Sequence, residues 1–212
     1  MVRRMSKPYK SIRIFKSDFL EKFTHIHPLS PAITWVPIIA WLYWRSVSVQ
    51  HLGLLAILNL SVFGFISWTF SEYMLHRFIF HFHPVGAFQE RIRFLLHGIH
   101  HDDPIDPTRL VLPPFLSLTL GYLLYLGWNS LLGPHLIEPF FAAYVIGYLG
   151  YDYIHFALHH FTPRTEWGKQ MKHYHMLHHF VTPEARWGVS SPLWDYIFGT
   201  MKERGEKVRH GT

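Results

Sequence analysis

Two long stretches of this chain, residues 52–70 and 110–134, contain no charged side chain. A helix that crosses the ~30 Å hydrocarbon layer of a bilayer needs about 20 mostly apolar residues, so each stretch suffices for one membrane span. Residues 31–44 and 136–156 are also apolar, but the first stretch is short and the second contains three ionisable residues. These two can span only if the helix tilts or buries a functional face. The pattern predicts an all-α integral membrane domain with four helices; a soluble all-α protein with buried core helices is the alternative.

The positions of lysine and arginine predict how these helices are oriented. The links around residues 46–51 and 127–135 contain neither residue, whereas every other segment outside the apolar stretches is basic. Because basic segments are retained on the cytosolic side of a membrane, segments 1–28, 71–109 and 159–212 are predicted to be cytosolic. The formal net charge of +6 is therefore a signal of topology. Without a dense basic stripe, it does not indicate a nucleic-acid-binding protein.

This charge pattern divides the chain into three predicted parts. Residues 1–28 form a basic cytosolic lead-in, residues 29–200 the membrane domain, and residues 201–212 a polar C-terminal tail. The lead-in lacks the short apolar core of a cleaved signal peptide, and it can lie on anionic lipid headgroups. The basic residues available for that contact are Arg3, Arg4, Lys7 and Lys10.

Histidine is unusually frequent, because the chain has 18 histidines and no cysteine. The absence of cysteine excludes disulfides, zinc–thiolate sites and cysteine-ligated iron–sulfur clusters. Most of the histidines fall in residues 76–101 and 155–179, where several are three or four residues apart and so share a helix face. His76 and His81 do not fit that spacing, because five residues at ~100° each place them about 140° apart on a straight helix. They either approach a metal pair from two sides or lie across a helix distortion.

The predicted topology places both histidine windows at one cytosolic face. Neutral imidazole suits iron, copper, zinc and nickel, and roughly ten imidazoles are too many for one first-row ion but match two. A dimetal site is therefore the favoured hypothesis. Haem held by two histidines would leave most of the cluster unexplained. A metal transporter would carry its ligands at mid-span, whereas these histidines lie at span ends.

Other residues near the histidine windows have predicted supporting roles. Asp152 lies three residues before His155 and needs a partner near the membrane surface, so it is predicted to accept a hydrogen bond from a ligand imidazole. Tyr148 and Tyr151 are candidates for positioning substrate or oxygen. The histidines predicted to orient the metal ligands from outside the site, without binding metal themselves, are His83, His160 and His173. Those predicted to be bystanders are His25, His27, His51, His135 and His210.

Four segments resemble the fatty acid 2-hydroxylases, which belong to the superfamily of membrane fatty acid hydroxylases and sterol desaturases. They are HGIHHDDPIDPTRLVLPP at 97–114, YDYIHFALHH at 151–160, YHMLHHF at 174–180 and WGVSSPLWDYIFGT at 187–200. The histidine pattern alone is shared with desaturases and alkane hydroxylases. The run HHxxPxDxxRLVxPP is more particular to the 2-hydroxylases, and the resemblance extends over residues 30–200.

This resemblance implies a four-span helical domain topped by a cytosolic helical cap that holds two metal ions. It implies O₂-dependent hydroxylation of the carbon next to an acyl carboxyl or amide group, with iron as the expected metal and zinc able to occupy the same site. Zinc itself has no redox chemistry. Carried over by motif position, the ligands are His76, His81, His97, His100, His101, His155, His159, His175, His178 and His179.

A fatty acid or ceramide substrate is expected to place its acyl tail in an apolar tunnel between the spans. The candidate lining residues are Phe63, Phe65, Trp68, Phe140, Phe141 and Tyr144. Many eukaryotic members of the family carry a cytochrome b5 domain with a His-Pro-Gly-Gly motif, which this sequence lacks. Electrons are therefore expected from a separate cytochrome b5 or ferredoxin with its reductase.

The expected location is the cytoplasmic membrane of a bacterium or the endoplasmic reticulum membrane of a eukaryote. Two competing hypotheses stay open. One is a sterol or carotenoid-type oxygenase or desaturase of the same superfamily, whose cavity must admit rings. The other is a membrane metal-binding or transport protein without enzymatic activity.

Overall fold

The computed structural model describes residues 11–202 of the chain. This part of the chain is helical and contains no β-strand, which confirms the predicted all-α class. Its helices are α1 (Asp18–Lys22), α2 (Ser30–Ser48), α3 (Leu54–Met74), α4 (Ala87–Arg93), α5 (Ile99–Asp102), α6 (Pro114–Leu132), α7 (Ile137–His160), α8 (Glu166–Phe180) and α9 (Leu193–Phe198). The predicted lipid-binding residues Arg3, Arg4, Lys7 and Lys10 lie outside the described residues, as do His210 and the tail beyond residue 202.

The four long helices α2, α3, α6 and α7 coincide with the four apolar stretches of the sequence. Helices α2 and α6 each have proline in the first turn, where its missing N–H group leaves no helical hydrogen bond unmade. Helix α6 ends at Gly133, which has a φ of 78° that favours glycine. Local sequence therefore sets the helix ends where the apolar stretches begin and end.

Helix α7 lies at the centre of the bundle. Phe140, Tyr144 and nearly all of its first three turns are buried. Helix α3 approaches so closely that a Cβ atom on Gly64 would lie 2.0 Å from the carbonyl oxygen of Phe140. The ring of Trp68 packs edge-on against Tyr144, with 5.3 Å between the ring centroids. The main apolar core thus lies between α2, α3 and α7.

The two short links between the long helices meet at one end of the bundle. Gln50, in the link between α2 and α3, contacts the link between α6 and α7. Its side-chain oxygen lies 2.7 Å from Nδ1 of His135, and its amide donates to the carbonyl of Pro134 at 3.4 Å. The opposite end contains the histidine-bearing end of α7 and the histidine-bearing segment that follows α3. There α8 packs against α7 and α9 against α3.

Two helical runs are long and apolar enough to cross a membrane, Leu54–Phe80 and Pro114–Leu132. They correspond to two of the four predicted spans. Both expose large apolar side chains, such as Leu55 at 72% and Phe115 at 77% exposure. Apolar surface of this kind is stable against lipid rather than water, as a membrane protein requires.

Residues 11–28 fold back over the loop between α5 and α6. The side chain of Arg109 in this loop is only 3% exposed, and it contacts Glu21 at 2.6 Å and Asp106 at 3.3 Å. The backbone N–H of Ile26 donates to the carbonyl of Thr108 at 2.8 Å. These contacts hold the lead-in segment against the histidine-bearing end of the bundle.

Candidate metal centre

Ten histidines form two groups at the end of the bundle. In each group, one ring nitrogen from each residue lies within 4.8 Å of those of the other four. The first histidine group consists of His76, His81, His97, His101 and His178. The second histidine group consists of His100, His155, His159, His175 and His179. Every histidine predicted as a ligand belongs to one of the two groups. The groups adjoin, because the rings of His101 and His179 stack at 4.1 Å.

A helix distortion brings His76 and His81 together. The segment Leu75–Phe80 is π-helical, and the N–H of His81 bonds to the carbonyl of His76 five residues earlier. The wider turn leaves the two rings 5.0 Å apart. Of the two arrangements that the sequence left open, the structure has the distortion. A second π-helical segment, Phe94–Gly98, positions His97.

Residue spacing decides which group each remaining histidine joins. Histidines four residues apart share a group, as with His97 and His101 or His155 and His159. Histidines three residues apart are divided, as with His175 and His178. Helix α8 supplies three of the ten histidines, His175, His178 and His179, and therefore contributes to both groups and ties them together.

Backbone carbonyl groups orient the first histidine group from outside. Nδ1 of His76 lies 2.6 Å from the carbonyl oxygen of Trp187, and Nδ1 of His178 lies 2.8 Å from that of Ala185. Because a carbonyl only accepts, each Nδ1 carries the proton and each Nε2 faces the group. Such outer hydrogen bonds fix the tautomer and ring orientation of metal-binding histidines.

Two buried carboxylates hold the segment that supplies these carbonyls. Asp195 accepts from the N–H groups of Trp187 at 2.9 Å and Gly188 at 2.7 Å. Glu72, on α3, accepts from the N–H groups of Val189 and Ser190, both at 2.8 Å. The segment after α8 is thereby fixed to α3 and α9, and its carbonyls are held against the first histidine group.

Burial keeps the imidazoles of both groups neutral. It lowers the pKa of His81 to about 2 and that of His101 to about 3, with the neighbouring His178 as the next cause in each case. Burial also lowers the pKa of His178 to about 4, even though its bond to Ala185 opposes the shift. The pKa of His175 lies well below its ordinary value, through burial and then His155. Neutral imidazole is the form that binds metal ions.

The donor set fits metal ions better than a hydrogen-bond network. Nε2 atoms face one another in pairs, 3.1 Å apart between His76 and His97 and 2.7 Å apart between His159 and His175. Among residues 11–202, both ring nitrogens of His155 are buried without a hydrogen-bond partner. Converging unpaired nitrogens are costly unless an ion accepts their lone pairs.

An apolar cavity of about 780 Å³ leads from the histidines into the bundle. Its histidine end is lined by His97, His100 and His155, and its far part by Leu124 on α6 and Phe141 on α7. Its walls come from α2, α3, α6, α7 and the lead-in segment. The lead-in residues that line it are Ile14, Phe15, Leu20, Phe23, Thr24 and Ile26. A cavity of this size and polarity suits one chain-like apolar ligand.

Asp152, Tyr148 and Tyr151 all line this cavity. Asp152 is 4% exposed, and the hydroxyl of Tyr148, one turn earlier on α7, interacts with its carboxylate. One carboxylate oxygen of Asp152 has no hydrogen-bond partner within 3.5 Å in the described part of the chain. The hydrogen bond predicted between Asp152 and a ligand imidazole is not made by His155, whose ring nitrogens are both unpaired. Asp152 lines the cavity, and its unpaired oxygen is buried in the cavity wall.

The aromatic residues predicted to line a tunnel divide into two sets. Trp68, Phe141 and Tyr144 line the cavity. Phe140 is fully buried in the core instead, and Phe63 and Phe65 are 48% and 47% exposed on the outer surface of α3. The prediction was wrong for these three, because the cavity lies on the side of α7 that faces α2 and α6.

Sequence reasoning missed the residues that support the site from outside. Glu72 is a single acidic residue in an otherwise apolar helix, and this isolation is the signal that marks it. Asp195 and Trp187 lie inside the WGVSSPLWDYIFGT segment, and its resemblance to the fatty acid 2-hydroxylases is the only sequence signal that marks them. The contribution of the lead-in segment to the cavity has no signal in the local sequence.

The remaining described histidines lie outside both groups. His83 and His173 are exposed, and His160 packs on Phe156 with 4.4 Å between the ring centroids. None of the three orients a ligand through a hydrogen bond in residues 11–202. His25 lies 2.7 Å from the hydroxyl of Thr108, in the contact between the lead-in segment and the loop. The other predicted bystanders in the described residues are His27, His51 and His135.

Comparison with known proteins gives one consistent picture. The model of the fatty acid hydroxylase family matches residues 61–200. The chain is 36% identical over 189 residues to a dihydroceramide fatty acyl 2-hydroxylase of Arabidopsis thaliana, covering 89% of this chain and 79% of the plant protein. It is 32% identical over 212 residues to the fatty acid 2-hydroxylase of Rattus norvegicus, covering 91% of this chain and 57% of the rat protein.

A solved structure is also similar over most of the chain. Full-length Scs7p, of which only the hydroxylase domain is visible, aligns with a TM-score of 0.83 and 33% sequence identity. The alignment covers 89% of this chain and 72% of that chain.

Proposed function

The chain belongs to the fatty acid hydroxylase family, and we propose that it is a membrane-bound dimetal monooxygenase that hydroxylates the 2-position of a fatty acid or of the acyl chain of a ceramide-type lipid. The observation that carries this proposal is the junction between the two histidine groups and the apolar cavity. His97, His100 and His155 belong to the groups and also line the cavity. A lipid chain in the cavity therefore has one end beside the metal centre.

Each histidine group is proposed to hold one metal ion. Iron, when bound, supplies the redox chemistry with O₂ that hydroxylation of an unactivated C–H bond requires, whereas zinc has no redox chemistry. Zinc shares the preference for imidazole and so can occupy the same ligands without activity. The ten histidines supply neutral nitrogen donors, and the sequence contains no cysteine to compete with them.

The cavity residues are proposed to hold and orient the lipid. The apolar walls bury the acyl chain and exclude water from the histidines. Asp152 and Tyr148 line the cavity, which places a carboxylate that can accept a hydrogen bond and a hydroxyl that can donate one near the head of the acyl group. Together with Tyr151, these residues anchor the head of the acyl group, which selects the neighbouring carbon for reaction.

The membrane arrangement is proposed to use all four long helices. Helices α3 and α6 have the length and apolar character of spans. Helices α2 and α7 coincide with the other two apolar stretches. With segments 1–28, 71–109 and 159–212 on the cytosolic side, the metal centre lies in a cytosolic cap above the bundle. Residues 29–200 then form the membrane domain, between a basic lead-in and a polar tail from residue 201.

Electrons are proposed to come from a separate protein, either cytochrome b5 or a ferredoxin with its reductase. The absence of cysteine leaves no thiol-ligated redox centre in this chain. The metal centre lies at the membrane surface, where a protein from the cytosol can reach it. The membrane is proposed to be the cytoplasmic membrane in a bacterium or the endoplasmic reticulum membrane in a eukaryote.

The test is to express the full chain in a host without 2-hydroxylated lipids and to supply a reductase system. Mass spectrometry of the lipids is expected to show 2-hydroxy acyl chains, and metal analysis of anaerobically purified protein is expected to show two ions per chain. His173→Ala, an exposed residue of α8 outside both groups, is the control for loss of histidine. Oxidised sterols or carotenoids, or metal binding without any oxidised lipid, would overturn the proposal.

A further inference from the structure

A tryptophan and a glycine meet in the wall of the cavity. Trp35, on α2, is 4% exposed and lines the cavity together with Gly121 on α6. A Cβ atom on Gly121 would lie 2.3 Å from Cη2 and 2.7 Å from Cζ2 of the Trp35 indole. No side chain can be added at residue 121 without moving this ring, because real Cβ contacts are longer.

Helix α6 presents small residues to this part of the cavity. Its buried residues are Ser117 and Gly121, four residues apart and therefore on one helix face. The other faces of α6 carry exposed apolar side chains such as Leu123 and Leu131. The indole of Trp35 fills the space that the small residues leave, so it closes the wall between α2 and α6.

The opposite side of the indole faces Tyr148. The two rings are edge-on, with 6.4 Å between their centroids, and both line the cavity. Nε1 of Trp35 has no hydrogen-bond partner within residues 11–202, so packing alone sets the position of the ring. An atom added at Gly121 pushes the indole away from α6, towards Tyr148 and into the cavity.

The cavity continues beyond this contact. Leu124 lies almost one turn past Gly121 on α6, and Phe141 lies about two turns past Tyr148 on α7 towards the far end of the bundle. The Trp35–Gly121 contact therefore lies part-way between the histidines and the far end. A ligand chain must pass it to reach Leu124 and Phe141.

We propose that the Trp35–Gly121 contact sets the length and bulk of the acyl chain that the cavity accepts. This inference rests on the proposed function, in which the cavity holds the acyl chain. Because glycine at residue 121 has no side chain, the indole packs directly against α6. This position of the ring keeps the far part of the cavity open. A larger residue at 121 closes that part, and a smaller residue at 35 opens it further.

The test is a set of variants that either narrow or widen the cavity at the Trp35–Gly121 contact. Gly121→Ala is expected to lower the ratio of long-chain to short-chain 2-hydroxy products by about tenfold, because one misplaced methyl-sized group has effects of this order in an apolar pocket. Trp35→Leu is expected to raise the same ratio. In the double variant, the smaller residue at 35 makes room for the methyl group, so the ratio is expected to return towards that of the original chain.

Matched controls separate this effect from a general disturbance of the helices. Gly127→Ala makes the same change on α6 at a position with no atom within 4 Å of the added Cβ. Trp44→Leu makes the same change on α2 at a residue that is 56% exposed. Both controls are expected to leave the ratio of chain lengths unchanged.

A binding measurement keeps the inference independent of the reaction. Zinc-loaded protein in detergent is titrated with N-acyl sphinganines that differ only in acyl length, and the shift in Tm is recorded for each variant. Chain-length preferences that move in opposite directions for the two single variants support the inference, even if the hydroxylated position is not the proposed one. Unchanged preferences, or a shift towards longer chains in Gly121→Ala because α6 moves outward, would overturn it.

Discussion

The two histidine groups have the same number of imidazoles but are supported differently. In the first group, His76 and His178 donate Nδ1 protons to backbone carbonyls, and Asp195 and Glu72 hold the segment that carries those carbonyls. In the second group, by contrast, Nδ1 of His155, His175 and His179 has no partner among residues 11–202. The second group also contributes His100 and His155 to the cavity wall, whereas the first contributes only His97.

The first group is thus the more rigidly oriented of the two, and the second has more contact with the cavity. Outer hydrogen bonds fix ring orientation and strengthen metal binding, so we expect the first group to hold a metal ion more tightly than the second. The second group is oriented by the packing of α5, α7 and α8 and faces the cavity. We therefore expect any rearrangement of imidazoles on lipid binding to occur in the second group rather than the first.

The largest expected effect comes from removing one ligand from each group in turn. His178→Ala in the first group and His100→Ala in the second are each expected to lose one of two ions and to lower 2-hydroxylation by more than about 100-fold, since outer partners alone contribute ~10–100-fold. Metal analysis and lipid profiling measure the two losses. Full metal content in either variant would contradict the assignment of that histidine.

The next effect tests whether the support of the first group matters. Asp195→Asn removes one carboxylate acceptor from the N–H groups of Trp187 and Gly188, so the carbonyl that orients His76 is less well fixed. Metal affinity of the first group, measured in the His100→Ala background, is expected to fall ~10–100-fold. In the His178→Ala background, the affinity of the second group is expected to change little. Equal losses in both backgrounds would show that the two groups are not separately supported.

A smaller effect concerns the rate at which the two ions leave. In the original chain, a chelator is expected to remove zinc in two phases, with the second group losing its ion about tenfold faster because it lacks the outer hydrogen bonds. The His178→Ala variant, in which the second group remains complete, is expected to show the fast phase alone. A slow phase there would reverse the comparison.

The smallest expected effect concerns the stability that the loop after α5 contributes, which we expect to be independent of metal binding. Burial alone would raise the pKa of Asp106, but hydrogen bonds from Ser11 and Thr108 and the Arg109 guanidinium outweigh it and lower the pKa. Because the folded pKa is lowered, this stabilisation is present at neutral pH and is lost as the pH falls through that pKa, below about pH 4.

Asp106→Asn is therefore expected to lower the free energy of unfolding by about 1–3 kcal/mol at neutral pH and by progressively less on acidification. Thermal unfolding in detergent at several pH values measures this difference. Metal affinity of both groups is expected to stay unchanged, with Asp103→Asn as the comparison variant in the same loop. A loss of metal affinity in Asp106→Asn would mean that the loop, and not the outer carbonyls, distinguishes the groups.

The sequence predicted the features that depend only on residues close together in the chain. The apolar stretches located all four long helices, and the i,i+4 spacing of His155 and His159 correctly predicted that they converge. The division of histidines three residues apart between two groups was not predicted. It depends on which partner helix each side of the helix faces, and that is a property of packing.

Longer-range features could not be obtained from local patterns. A straight-helix calculation separates His76 from His81, because nothing in the intervening residues encodes a π-helical turn. The apolar patterns of α2 and α3 do not say which side of each helix faces the cavity, so Phe63 and Phe65 were assigned wrongly and Trp35 was missed. Glu72 acquires its role only when residues more than a hundred positions later fold against it.

The π-helical segment Leu75–Phe80 places five residues where an α-helix would need four. A π turn contains one residue more than the α turn that it replaces. Without this turn, His76 and His81 would lie about 140° apart on a straight helix, and one imidazole would point away from the first histidine group. Deleting a single residue between them would let the backbone relax into an ordinary α-helix and leave the two histidines four residues apart, a spacing at which both still share a face. In this part of the chain, the helical conformation and the number of residues must therefore change together for both imidazoles to stay in the group.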